Sequence, residues 1–384
     1  MKIVNKIIRK AKWFWVEYKA KSNYDYCSEV FRNRLVKNGI PVNVPAPGEK
    51  EYIRFWQQFH KRVEPYTYRY FYRICGQNPH IVPEDIAYRF IEPVLNPVRY
   101  WAYYSDKNMY QYYIQPIASI PKVYLCRILG GLMYRSSLTR YNEVPVSFDL
   151  TGKEISEIIG RDVKKVVLKP SIDSSGGLGV VLFERIGEVF KNKDNIILSG
   201  SYLKKYGLNW VLQETIKPHS YLQQFSRSSV NTMRVMTYRS VVDDSVSVFC
   251  AVLRIGHDDS FVDNLTSGGG YVTINVKNGM LGKCIYNKYR QSTNIINNID
   301  FSKRDFVLPF WQDVKVFAKN VAMQVPHVRL LAQDIVIDSE NRPRLIEINV
   351  NNFSWSLSMS SGSIPFGDRF DEVINYCLKQ KNNY

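Results

Sequence analysis

The alternation of apolar and polar positions changes character near residue 145. Before that point, short runs such as Tyr52–Val63 and Pro83–Ile91 repeat at helical spacing and are crowded with aromatic residues. They predict a helical, aromatic-rich N-terminal lobe over residues 23–145. The stretch VRYWAYYSDKNMYQYYI within it is mostly tyrosine and yields no clear period. After residue 145, β-branched runs separated by turn residues predict strands: VVLKP, VVLF, WVLQETI, TMRVMTYRSVV, SVSVFCAVLRIG, YVTINV, LLAQDIVID and PRLIEINV. Helices are expected at Gly152–Ile159, Pro309–Gln324 and Phe370–Lys379. The pattern fits an α+β protein with antiparallel sheets. No internal repeat interrupts it.

Residues 1–22, MKIVNKIIRKAKWFWVEYKAKS, form a separate segment. Ile3, Ile7, Ile8, Trp13 and Trp15 sit among Lys2, Lys6, Arg9, Lys10, Lys12 and Lys19 at helix-compatible spacing. A basic amphipathic helix of this kind suits an anionic membrane surface. The same pattern also suits a helix packed on the rest of the chain.

Composition narrows the function classes. The formal net charge is +17, which attracts polyanions, anionic lipids or acidic substrates. The 27 tyrosines and 7 tryptophans among the basic residues raise nucleic acid as a partner, but no helix-turn-helix, RNP or zinc-finger pattern accompanies them. Nucleic-acid binding is therefore not expected. The six cysteines are far apart and form no C-x-x-C pair, which argues against a zinc knuckle or a disulfide framework and for a reducing cytoplasm. No run of eighteen apolar residues and no secretory leader is apparent. Cytoplasmic residence, with peripheral attachment to the inner face of a membrane, is the expectation.

Two stretches carry candidate chemistry. In VVLKPSIDSSGGLGVV, two apolar runs flank a loop rich in glycine and serine, with Lys169 at the end of the first. Glycines let backbone approach a ligand and expose N–H groups suited to phosphate. Neither a Walker A nor a Rossmann fingerprint is present. In LLAQDIVIDSENRPRLIEINVNN, two strands flank a turn at Ser339–Arg342. Glu347 and Asn349 share a face because strand side chains alternate, and Asp334 lies on the partner strand. Buried carboxylates need counter-charge, and an all-oxygen set favours Mg²⁺ or Mn²⁺.

Taken together, the strand lysine and loop, the strand VLQETI, and the acid–glutamate–asparagine order resemble the ATP-grasp superfamily over roughly residues 150–355. That resemblance implies two α+β subdomains clamping ATP, a small one over residues 146–212 and a large one over 213–384, with Mg²⁺ bridging its phosphates. It implies that Lys169 contacts phosphate and that Ser174, Ser175, Gly176 and Gly177 cover the β and γ phosphates. It also implies that Gln213, Glu214 and Ile216 hold adenine, and that Asp334, Glu347 and Asn349 hold the metal. NTMRVMTYR, AVLRIG, VDNLTSGGG and LIEIN are similar to the sugar-transfer-associated group, found with capsule and surface-polysaccharide genes.

The sequence departs from the ligase pattern at Ala332, where arginine is common, and at Val350, Asn351 and Asn352, where proline and glycine commonly follow the asparagine. A cation facing the reacting centre must come from elsewhere, and Arg234 and Arg254 are the candidates. Asp263 and Asn264 are expected to orient loop or substrate. The implied activity is a carboxylate–amine ligase acting through an acylphosphate. It would join an amino acid or other amine to a uronic acid or another acidic saccharide, near a lipid-linked glycan. A phosphotransferase, for which nothing singles out a histidine, and a non-catalytic nucleotide-binding scaffold at a membrane assembly are the alternatives.

Overall fold

The computed structural model describes residues 21–114, 119–131, 133–135, 144–172, 174, 176–257, 263, 265 and 268–380. The basic segment 1–20, Ser175, Asn264 and Ser267 lie outside the described residues.

Two antiparallel sheets organise the chain. The first has the order β3-β2-β1-β7-β4-β5-β6. It comprises β1 (Val123–Arg127), β2 (Met133–Arg135), β3 (Val144–Val146), β4 (Lys165–Pro170), β5 (Val181–Ile186), β6 (Val189–Lys191) and β7 (Trp210–Glu214). Strands β4 and β5 pair with Leu168 opposite Val181, so the glycine/serine stretch is the loop of a hairpin. Residues 123–146, which the sequence groups with the helical lobe, supply three strands of this sheet, and β7 crosses residue 212. Strand β7 pairs with β1 on one side and β4 on the other, long-range contacts that local pattern does not reveal.

One face of this sheet packs on α8 (Gly152–Ile159) and α9 (Gly200–Tyr206) around Leu168, Phe183, Phe190, Trp210 and Leu212. A capping box between Thr151 and Glu154 starts α8 by satisfying N–H groups that a helix end leaves unpaired. Alternation along β4 turns Val167 and Lys169 to the opposite face.

The second sheet has the order β12-β11-β10-β9-β8-β15-β16. Its main strands are β8 (Met233–Arg239), β9 (Val246–Ile255), β10 (Gly270–Ile274) and β11 (Leu281–Tyr286). The short β12 (Ser292–Thr293) forms one edge, and β13 (Ile295–Ile296) and β14 (Ile299–Asp300) make a separate hairpin. Strands β15 (Leu330–Ile337) and β16 (Pro343–Asn349) form the expected hairpin, with β16 at the other edge. Helix α11 (Trp311–Met323) covers one face through Val314, Ala318 and Val321 against Val235, Leu253 and Leu331.

The other face is shared. Met236, Tyr238, Val252, Leu330 and Ala332 pack into the aromatic core of the N-terminal lobe. That lobe contains α1 (residues 21–37), α2 (Glu49–Trp56), α3 (Tyr66–Cys75), α4 (Glu84–Ile86), a π turn (Ala87–Ile91) and α5 (Glu92–Leu95). It continues through short helices that include α6 (Trp101–Ser105) and α7 (Tyr110–Tyr113). Beyond α10 (Ser220–Gln223), the C-terminal α12 (Trp355–Met359) and α13 (Phe370–Gln380) complete this core. All six cysteines are free. Among the described residues no helix is long and apolar enough to cross a membrane.

Candidate functional site

A cavity of about 990 Å³ separates the free face of the first sheet from the uncovered part of the second. That volume lies at the upper end of the range for small-molecule sites. Every described candidate residue lines it. Lys169, Ser174, Gly176, Gly177, Gln213 and Glu214 enter from the first sheet, with Ile216 just beyond it. Arg234, Arg254, Asp263, Asp334, Glu347 and Asn349 enter from the second.

The second sheet sets out its charges by register. Asp334 on β15 is directly opposite Arg234 on β8 and Glu347 on β16. Arg234 grips Asp334 with two hydrogen bonds, Nε to Oδ1 at 2.8 Å and Nη2 to Oδ2 at 2.9 Å. Arg254 adds Nη1 to Oδ2 at 2.9 Å and gives Nη2 to Asp263 Oδ1 at 3.0 Å. Asp263 is fixed in turn by the Thr232 amide and hydroxyl, which donate to Oδ2 at 2.6 and 2.5 Å. Burial pushes the Asp334 carboxyl up, but the Arg234 and Arg254 guanidiniums outweigh it and hold the group below its ordinary range.

A bound cation is thus not the only counter-charge available to these acids, as the sequence suggested; protein cations already stand beside them. Glu347 has its own, since Lys107 Nζ lies 2.8 Å from Oε1. Among the described residues no group of three or more His, Cys, Asp or Glu forms a metal cage. The donors nonetheless suit a hard divalent ion. A carboxylate offers about four lone-pair sites, of which Asp334 has committed three, and Glu347 retains Oε2. The side-chain amide of Asn349 adds a third oxygen on the same strand face.

Lys169 is 8% exposed at the end of β4. Burial, reinforced by the neighbouring Lys107, lowers its ammonium pKa to about 7. Gly176 and Gly177 have φ of 63° and 73°, a left-handed backbone that side chains disfavour. In the β7 strand, the Glu214 carboxylate takes the Arg344 guanidinium and, at 3.0 Å, the Lys122 amide. It is tied to the protein rather than pointed freely into the cavity.

The tyrosine-rich run that gave no pattern proves to be a wall of the site. Lys107 sits there at 7% exposure, its amide bonded to Ser171 O at 3.0 Å and its Nζ within 3.4 Å of Ser174 Oγ. The only local signal was Asp106, which caps the break between two helical turns by accepting from the Asn108 amide at 2.9 Å. Tyr110 also escaped notice. Its hydroxyl accepts from the Ile348 amide at 2.9 Å, and so satisfies edge backbone between Glu347 and Asn349. Ala332 is 1% exposed in the N-terminal lobe core, whereas Arg234 and Arg254 line the cavity.

A family model described as sugar-transfer associated ATP-grasp matches residues 89–367. No curated protein matches the chain. Among solved structures, it is similar to the ATP-grasp ligase PsnB complexed with precursor peptide PsnA2 and AMPPNP, with 13% identity and a TM-score of 0.37. That match covers 74% of this chain and 62% of the other. The L-amino acid ligase from Bacillus licheniformis gives 11% identity and a TM-score of 0.38, covering 72% of this chain and 48% of that one. The VanG D-Ala:D-Ser ligase from Enterococcus faecalis gives 11% and 0.39, covering 72% and 62%. The chain therefore spans about half to three-fifths of the length of these structures.

Proposed function

The chain belongs to the sugar-transfer associated ATP-grasp family, and from that membership and the site we propose that it is an ATP-dependent carboxylate–amine ligase. The reading adds that the carboxylate belongs to an acidic saccharide, such as a uronic acid, and that the amine is an amino acid or related compound. Capsule or surface-polysaccharide assembly is the proposed setting.

One observation carries the reading. Lysines, a glycine loop and a row of arginines face the same cavity as an all-oxygen donor set. Phosphoryl transfer asks for this combination, because its chemistry is mostly positioning and charge stabilisation. Lys169 and Lys107 sit where they can neutralise phosphate oxygens, and Gly176 and Gly177 bring bare backbone close to them. Gln213 and Ile216 line the part of the cavity assigned to adenine. A carboxylate oxygen attacks the γ-phosphorus, and the bond from that phosphorus to the β–γ bridging oxygen breaks, releasing ADP. The amine nitrogen then attacks the acyl carbon and loses its proton as phosphate leaves. Arg234 and Arg254 face the oxyanion of that step, with Asp334 and Asp263 fixing their planes. Asp334, Glu347 and Asn349 would hold Mg²⁺, which when bound polarises the phosphoryl group and offsets its charge.

Among the described cavity residues there is no histidine. His219 instead caps α10 through its ring, accepting from the Tyr221 amide at 3.1 Å. That placement disfavours the phosphohistidine alternative. The test is mass spectrometry of products from purified protein, ATP, Mg²⁺ and a panel of uronic acids with amino acids. An amide formed together with ADP supports the reading. ATP consumption with only a phosphorylated acceptor would move the protein to the phosphotransferases.

A further inference from the structure

The cavity is also lined by residues that the nucleotide and metal assignments do not use. One wall is α6 with Trp101, Tyr103 and Ser105; the other is the segment after β16 with Asn351, Asn352 and Ser354. We propose that this end is a preformed saccharide subsite, an inference that rests on the ligase reading and identifies where its acceptor would sit.

The surface chemistry suits a sugar ring. Trp101 uses its only polar atom on the protein, donating Nε1 to Asn96 O at 2.8 Å, so what it offers the cavity is apolar ring. Tyr103 is held by Tyr104 and Tyr113, each at a ring-centroid distance of 5.3 Å, yet stays 47% exposed. Aromatic faces take the C–H side of a pyranose, while asparagine amides, with donors and an acceptor on one group, match its hydroxyls. None of these six side chains is charged. These groups offer partners for hydroxyls rather than counter-charges.

The two walls are fixed by one short piece of chain, Glu92–Asn96. The Glu92 carboxylate, 1% exposed, accepts from the Asn352 amide at 2.7 Å, the Phe353 amide at 3.0 Å and Trp355 Nε1 at 2.7 Å. Asn96 holds Trp101 through its carbonyl, and its side-chain amide donates to Val350 O at 2.7 Å and Leu330 O at 2.8 Å. Asn352 accordingly keeps a left-handed φ of 51°. The aromatic wall and the amide wall are therefore held in register with each other and with β16. A site set in this way spends little ordering entropy when a ligand arrives.

The test is saturation-transfer NMR on the full chain. The probes are methyl β-D-glucuronide, methyl β-D-glucoside and alanyl-alanine, each with and without AMPPNP and Mg²⁺. Both glycosides are expected to bind, and Tyr103→Ser and Asn351→Ala are each expected to weaken them about tenfold. AMPPNP affinity should stay unchanged in both variants, which also shows that they fold. Glycoside binding that ignores both substitutions overturns the subsite. So does AMPPNP binding without glycoside binding, or Tyr103-dependent binding of alanyl-alanine alone. Failure of the wild-type chain to bind AMPPNP removes the ligase reading itself, and the subsite with it.

Discussion

Lys107 Nζ stands 2.8 Å from Glu347 Oε1, joining the helical lobe to strand β16 in the lining of the cavity. The pair is largely shielded, with side-chain exposures of 6% and 25%. Lys107 also lies close enough to Lys169 to lower its pKa. Two lysine amines and one carboxylate thus share a small space, and an incoming phosphate would rebalance their charges.

Lys107→Met is expected to weaken AMPPNP binding by at least about tenfold, since charge-assisted hydrogen bonds contribute about 1.5–3 kcal/mol. Isothermal titration calorimetry measures it. An unchanged dissociation constant would return Lys107 to a purely structural role.

Asp334→Asn and Glu347→Gln should differ in stability although both abolish turnover. Asp334 is the shared partner of two largely buried guanidiniums. Its neutralisation leaves Arg234 without its carboxylate and Arg254 with Asp263 alone, at a cost of up to about 3–5 kcal/mol. Glu347 is a quarter exposed and has one ion-pair partner, Lys107, so Glu347→Gln should cost less than Asp334→Asn. Thermal unfolding of the two purified variants distinguishes them. Equal melting temperatures contradict the assignment of Asp334 as keystone of the arginine pair.

Lys169 should make nucleotide binding take up a proton. Its free-state pKa of about 7 leaves it neutral above that value, and adjacent phosphates favour the charged form and raise the pKa. At about pH 8.5 binding should therefore draw close to one proton, and at about pH 6 none from this group. Calorimetry in two buffers of different ionisation enthalpy reads the uptake. Lys169→Met should lose it, and an identical uptake in that variant would assign the proton elsewhere.

The nucleotide products are expected to be ADP and inorganic phosphate. Hydroxylamine supplied in place of the amine should yield a hydroxamate by trapping the acylphosphate. Pyrophosphate release would indicate adenylation and defeat the proposed mechanism.

The basic segment 1–22 is expected to bind anionic vesicles, with about 1 kcal/mol from each cation near the surface. Binding should fall steeply with salt, because the attraction is screened over about 8 Å at physiological ionic strength. Co-sedimentation compares the full chain with one starting at about Ser22. Equal binding by both chains would reduce the segment to ordinary packing.

The sequence by itself determined the parts of this protein that depend on neighbours along the chain. Lys169 and the glycine loop belong to one hairpin, and Asp334, Glu347 and Asn349 to another. Strand alternation alone places side chains on a face, so these sets were legible from spacing. Only the tertiary structure decided what meets them. Lys107, Tyr110, Glu92 and Asn96 come from the helical lobe, and no periodicity links that lobe to β16. Likewise, Arg234 and Arg254 could be placed on strands, but their shared grip on Asp334 depends on which strands pair. Charge balance in a buried site is a sum over every group that folding brings near, and a one-dimensional pattern holds only the terms that are local.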